Sequence, residues 1–187
     1  SGQGGIATTF DVDQIEVHRG PQGSRIGSNA MAGLIYIKTK DPTDEFEGVS
    51  EITTGSYGTI NTGIAFWGPS QIEDVTYRIA FRKDYSDGFR KNLFSGKSDT
   101  SKKDEFTFRL KTNWKIDEKS TLKLLVTQIH LDDPADIWTI DGSLNTLSDR
   151  PGMDSQKTDA YGIKFSHKAD NFEFQSLTSL TDTDVVL

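Results

Sequence analysis

Three histidines, His18, His130 and His167, lie far apart in a chain of 187 residues, and none sits in an E-x-x-H or H-x-H spacing. Neither a zinc site nor a histidine acid–base pair is marked by that pattern. The absence of cysteine removes disulfides, thiolate metal ligands and cysteine nucleophiles together. Two acidic clusters, Asp132-Asp-Pro-Ala-Asp136 and Asp182-Thr-Asp184, have the side chains of cation ligands. They lack the oxygen-rich loop turning on a glycine that a calcium site needs, and they read as solvated loop charge. A glycoside hydrolase needs two carboxylates held at a set separation in a cleft, and no pair is marked for that role. No catalytic residue, metal or cofactor is expected, and the chain is not expected to be an enzyme.

The most specific stretch is glycine-rich. Residues 15–39 read as a strand, a turn punctuated by Gly20-Pro21 and Gly23, a looped or short helical piece between Gly27 and Gly33, and a second strand. Glycine supplies positive φ at such turns, and proline presets the backbone that follows it. Ser28 or Asn29 has the chemistry to cap a turn of helix there. A phosphate cradle is not the purpose, because neither G-x-x-x-x-G-K-[ST] nor G-x-G-x-x-G fits the spacing.

The elements around that stretch are strands. Hydrophobic residues make up 34% of the chain, aromatics 10% and charged residues 26%, with 28 acidic against 21 basic side chains and a net charge of −7. That balance argues against a nucleic-acid binder with a basic surface. No run approaches the ~18 apolar residues of a transmembrane helix, but a membrane β-barrel remains open, since its strands alternate and keep mean hydropathy low. Beyond a boundary at about 41–47 the dominant period is two. Val75, Tyr77, Ile79, Phe81 and Tyr85 share one face of a strand, and Thr76, Arg78, Arg82 and Asp84 share the other. Phe106, Phe108, Leu110 and Trp114 oppose Glu105, Arg109, Lys111 and Asn113 in the same way. Further strands are expected at 49–57, 60–67, 121–130, 158–167 and 172–181, which gives seven.

After a tight first turn at Gly58, short and long connections alternate: residues 68–74, 115–120 and 169–171 are short links, whereas 86–104 and 131–157 are long and polar. Antiparallel neighbours with every second loop long put the elaborated loops on one rim, as in outer-membrane barrels. A face bearing Arg78, Arg82, Arg109 and Lys111 is too charged for a small soluble core and suits a wet lumen. Trp67, Tyr77, Tyr85 and Trp114, near strand ends, are expected in interfacial girdles. A soluble sandwich with an aromatic core face is the competing arrangement.

Glu16-Val-His-Arg-Gly-Pro-Gln-Gly23, followed by Ile26-Gly-Ser-Asn-Ala-Met-Ala-Gly-Leu-Ile-Tyr-Ile-Lys-Thr-Lys-Asp-Pro42, resembles the end of the plug domain of TonB-dependent outer-membrane receptors. Asp44-Glu-Phe-Glu-Gly48 and Gly55-Ser-Tyr-Gly58 look like the first barrel strand and turn of that family, Ser86-Asp-Gly-Phe-Arg-Lys-Asn92 like the end of its third strand, and Ser176-Leu-Thr-Ser-Leu-Thr181 like a later strand. The departures, His18, Arg25-Ile26 and Tyr36, spare the glycines. The resemblance implies an all-β fold with a small mixed plug remnant, an antiparallel up-and-down meander that is an incomplete segment of a 22-stranded transmembrane β-barrel. It divides the chain into residues 1–43, the C-terminal part of the plug, and 44–187, about seven barrel strands. It implies a Gram-negative outer-membrane transporter for a scarce nutrient such as a ferric siderophore, working by binding and gating. The implied partners are membrane lipid, that solute, and TonB through an N-terminal box absent from the chain; nucleic acid is not among them.

The same resemblance assigns a structural and gating role to Glu16, Arg19, Gly20, Pro21, Gly23, Gly27, Asn29, Ala30 and Gly33, with Arg19 pairing a carboxylate on barrel strands absent here. Trp138 and Arg150, in the second long loop, are the candidate ligand contacts. A surface-exposed β-rich adhesin or ligand-binding module without transport is the alternative. At roughly ten residues a strand, 22 strands need about 220 residues, so the chain is expected to be an internal slice.

Overall fold

The computed structural model describes residues 8–21, 33–136, 139 and 141–186. They form two compact units, Thr9–Asp41 and the residues from Pro42 onward.

In the smaller unit, β1 (Val12–Arg19) pairs antiparallel with β2 (Gly33–Thr39) in a register that sets Ile15 opposite Ile37 and Val17 opposite Ile35. A bulge between Val12 and Gln14 shifts the ladder at its open end. Polar pairs lie toward both ends of the ladder: Lys38 holds Asp13 at 2.7 Å at the open end, and toward the Arg19–Gly33 end His18 Nε2 lies 2.8 Å from a Glu16 oxygen. Gly33 is required where it stands: a Cβ there would lie 2.7 Å from the carbonyl oxygen of His18 on the facing strand.

The larger unit is a seven-stranded sheet. Its strands are β3 (Glu47–Thr54), β4 (Ile60–Pro69), β5 (Val75–Ser86), β7 (Lys103–Lys115), β8 (Ser120–Pro134), β10 (Met153–Lys168) and β11 (Glu173–Val186). Between them lie two two-residue strands, β6 (Lys91–Asn92) and β9 (Asn145–Thr146). The sheet order is β3-β4-β5-β7-β8-β10-β11, every neighbour antiparallel, so the chain runs up and down in sequence order. β3 and β11 do not pair with each other, and the sheet stays open. No helix occurs among the described residues.

All seven expected strands are present, with one systematic difference at their ends. β8 continues to Pro134 and β10 begins at Met153, so that Leu131 faces Gln156 and Asp133 faces Asp154 in a ladder expected to be loop. These stretches carry little apolar alternation; backbone pairing extends the hairpin where no apolar face directs it.

Side-chain burial is inverted relative to a soluble sheet. Ala65 and Ala80 are the only buried apolar residues described, whereas Arg78 is 4% and Arg109 8% exposed, with Thr76, Asp84, Thr107 and Thr158 also buried. Ladder registers place these on one face: Ala80 opposite Arg109, Arg78 opposite Lys111, Asp84 opposite Glu105. The other face carries Ile79 opposite Leu110, Phe81 opposite Phe108, Leu124 opposite Ile163 and Tyr161 opposite Leu180. It lies open, with Ile64, Leu124 and Leu180 all exposed. The Phe81 and Phe108 rings sit 5.1 Å apart on it. An apolar outer face and a polar inner face are what a strand needs when its outside solvent is lipid. From Trp114 to Phe106 the outer residues of β7 are Trp, Thr, Leu, Phe and Phe. At about 3.3 Å per residue that is about 26 Å of strand, or about 20 Å of height at the ~40° tilt of barrel strands, most of the ~25 Å apolar band of outer-membrane barrels.

Candidate functional site

All the long connections leave one end of the sheet. Residues 70–74, 116–119 and 169–172 turn tightly at the other end, while residues 87–102 and 135–152 join β5 to β7 and β8 to β10 at the elaborated rim, beside the turn at 55–59. At the base of the first long loop Gly88 has φ +85°, and a Cβ there would lie 2.5 Å from the backbone of Ser101, so only glycine fits. The Asp87 amide donates to the Tyr57 carbonyl at 2.9 Å, and the Phe89 ring lies 6.1 Å from that of Tyr57.

The two long loops are bonded to each other. β6 and β9 pair in parallel, with Lys91 N donating to Leu144 O at 3.1 Å and Leu93 N to Thr146 O at 2.9 Å. Under this ladder lies a sealed polar node in which Asn92, Thr146 and Asp136 are 0%, 1% and 2% exposed. Asp136 accepts from Asn92 Nδ2 at 2.9 Å, Thr146 Oγ1 at 2.5 Å and Ser148 Oγ at 2.7 Å. Asn92 also donates to the Ser148 carbonyl at 2.9 Å, and its own oxygen accepts from the amides of Phe94 and Ser95. Burial works against the Asp136 charge, but the hydrogen bonds from Thr146, Ser148 and Asn92 outweigh it and hold the carboxyl below the ordinary aspartate range. Above the node, Leu93, Phe94, Leu144 and Leu147 stand exposed.

Asp136 therefore corrects the expectation of a solvated acidic loop: it is a buried acceptor joining two loops. Its neighbours in the cluster also have assigned partners, Asp133 accepting the Asp104 amide at 2.8 Å and Asp132 lying 3.5 Å from Lys102. Trp67 is corrected as well. It shares the inner face with Arg78, whose guanidinium lies 3.8 Å over its ring, whereas Tyr77, Tyr85 and Trp114 face outward. His130 packs against Phe106 and His167 Nδ1 lies 2.9 Å from Ser120 Oγ, consistent with packing roles.

Charged and polar side chains run along the inner wall from rim to turn, with Leu125, Ile129 and Leu131 among them. Arg82 reaches Asp84 through Nε and Nη2 at 2.9 and 2.8 Å and Glu51 through Nη1 at 2.7 Å, tying β3 to β5. Of the residues expected to carry function, Arg19 and Pro21 are exposed, Glu16 is half-buried beside His18, and Gly20 has φ +86°. Gly33 closes against β1 as described, and Arg150 is exposed near the end of the second long loop. Gly23, Gly27, Asn29, Ala30 and Trp138 lie outside the described residues. The node at Asp136 and the loop pairing at β6–β9 were not anticipated.

A sheet with its charge inside, its apolar face outside and its long loops on one rim has the architecture of a segment of outer-membrane β-barrel wall. No family model matches the chain. It is 30% identical over 97 residues to the vitamin B12 transporter BtuB of Vibrio vulnificus, covering 51% of this chain and 16% of that protein. Over 44 residues it is 46% identical to the ferric enterobactin receptor PirA of Pseudomonas aeruginosa, 24% of this chain and 6% of that one. The crystal structure of the ferric yersiniabactin uptake receptor FyuA from Yersinia pestis superposes on 92% of the chain with a TM-score of 0.82 at 20% identity, the match spanning 28% of FyuA. These likenesses are to TonB-dependent outer-membrane receptors, and the fold of this chain matches part of their barrel and plug. The chain spans well under a third of each of these three proteins.

Proposed function

We propose that the chain is part of an outer-membrane receptor that takes up a scarce nutrient, with a ferric siderophore as the solute, and that it acts by binding and gating without bond chemistry. The observation that carries this reading is the inverted sheet: buried Arg78 and Arg109 on one face, exposed isoleucine, leucine and aromatic side chains on the other, and both long loops on one rim. In this reading the short turns face the periplasm and the clasped loops face outward. Residues 1–43 are the end of a plug and 44–187 are barrel wall. Glu16, Gly20, Pro21, Gly23, Gly27, Asn29, Ala30 and Gly33 shape the plug turn, and Arg19 pairs with a carboxylate of strands beyond this chain. Trp138 and Arg150 reach the solute from the second long loop. The siderophore assignment draws on the PirA and FyuA likenesses, both proteins being named for ferric chelates.

The test uses the full-length receptor in a strain lacking its own iron-uptake receptors, with radiolabelled ferric siderophores and cyanocobalamin as separate probes. Uptake of a ferric siderophore that disappears when TonB is deleted is the expected result. Uptake indifferent to TonB, or surface adhesion with no uptake of any probe, would overturn it.

A further inference from the structure

Three connections meet at the elaborated rim, and each is fastened to the next. The turn at 55–59 holds the base of the first long loop. Tyr57, at φ +58°, offers its carbonyl to the Asp87 amide at 2.9 Å and to Ser86 Oγ at 3.2 Å. Thr59 Oγ1 donates to Ser86 Oγ at 3.3 Å. A left-handed backbone is uphill for a tyrosine and persists only where its surroundings hold it. A Cβ on Gly58 would run into the Asp87 carboxylate, so the turn and the loop base pack as closely as glycine permits.

The first long loop is closed on itself and then on the second. Arg90 N donates to Ser101 Oγ at 3.1 Å and Asn92 N to Lys97 O at 2.8 Å. Its far end meets the second loop where Asp136 N donates to the carbonyl of buried Thr100 at 3.3 Å. Its middle meets that loop through the β6–β9 ladder and the Asp136 node. Ala135 N, donating to Gly152 O at 2.8 Å, closes the foot of the second loop. Attachment therefore runs without a break from the β3–β4 turn to the start of β10.

A loop that opens in a working cycle is drawn from the least stable parts of a fold, with few buried contacts and exposed backbone hydrogen bonds. The rim is built the other way. Asn92, Thr146 and Asp136 are sealed from water, and parting the loops would break the Asn92–Asp136 bond and strand its buried partners. Because Asp136 takes donors from both loops, neither loop moves alone.

We propose that these three connections form one fixed brace of the rim, which stays closed while solute binds and passes, so that neither long loop serves as a lid. The exposed Leu93, Phe94, Leu144 and Leu147 then keep constant places on it. That solute passes this rim at all rests on the receptor reading; the fastening of the loops does not.

A reversible clamp tests the brace in the full-length receptor in its native membrane. Lys91 and Asn145 are exposed register partners on β6 and β9. In a background otherwise free of cysteine, K91C with N145C can be joined directly or by a short bifunctional thiosulfonate and released by reductant. Affinity for a ferric siderophore and its uptake are expected to agree within about twofold between joined and reduced forms. A larger loss on joining, recovered on reduction, would show that the loops must part and would overturn the brace. Thiols that fail to join would mean that the ladder is not held in register and would overturn it too.

Hydrogen exchange separates a fixed brace from two loops that swing together. In solute-free receptor the Asp87, Leu93, Ala135 and Asp136 amides should exchange at least about a hundredfold more slowly than that of exposed Gly96, and saturating solute should change them by less than about threefold. Weaker protection, or a larger change with solute, would overturn the brace. An unsubstituted receptor that takes up no probe would count against the transport reading, while protection in the solute-free protein would still decide for or against the brace.

Discussion

Replacing Asp136 by Ala removes the acceptor for two hydroxyls and one amide proton in a place sealed from water. An orphaned buried donor costs about 1 kcal/mol or more, and Asn92 keeps the Ser148 carbonyl, so the loop-to-loop attachment should weaken by about 2–3 kcal/mol. Hydrogen exchange on the full-length protein reads this directly. The Lys91 and Leu93 amides, which bond across to Leu144 and Thr146, should exchange more than tenfold faster in D136A while mid-strand amides of β5 and β7 do not change. Because the folded carboxyl is held below its ordinary value, its contribution is complete above the unfolded pKa of about 3.9 and is lost as pH falls through the lower folded value. Exchange at these amides should therefore be flat from neutral pH down to about pH 4 after correction for intrinsic rates, and rise below it. Nothing local to Asp132-Asp-Pro-Ala-Asp136 announces this, since its donors come from residues 92, 146 and 148. Trp67 differs, because its parity was readable: Ile60, Ile64 and Phe66 are even-numbered, and Trp67 is out of phase with them.

At the scale of elements, the period of two located all seven long strands, and alternation assigned Arg78, Arg82, Arg109 and Lys111 to one face. It failed where no apolar face existed to be read. The outer ends of β8 and β10 pair through polar residues such as Asp132, Asp133 and Gln156, and β6 and β9 are two-residue ladders too short for any period. The outward face is the element-level feature with the largest energetic consequence. Leu124 sits centrally among the outer residues Leu122, Leu124 and Val126 of β8, whereas Thr127 on the same strand faces inward. Leu124→Arg should destabilise the inserted protein by about 2–4 kcal/mol if it lies near the bilayer midplane, and Thr127→Arg, exposed to the polar wall, by much less. Reversible urea unfolding from phospholipid vesicles checks the difference. Equal costs at the two positions would mean that the faces are assigned wrongly.

For the molecule as a whole, two features argue against stability in water for this 187-residue chain. The edge strands β3 and β11 each leave one side of their ladder without a partner in the sheet, and β11 presents such an edge over 14 residues. Long free edges of this kind are templates for further pairing. The apolar face adds Ile52, Ile64, Phe81, Leu124, Ile163 and Leu180, all exposed, which is far more contiguous apolar surface than a soluble monomer tolerates. Charge opposes association only weakly: the net −7 includes the inner wall, which faces away from that surface. Expression of the chain in water without detergent should therefore yield aggregates enriched in β structure, with detergent dispersing them by covering the apolar face while the edges continue to pair. A monodisperse, cooperatively melting monomer in detergent-free buffer, seen by light scattering and calorimetry, would show instead that the apolar face is covered within the chain itself, and the assignment of that face to lipid would have to be abandoned.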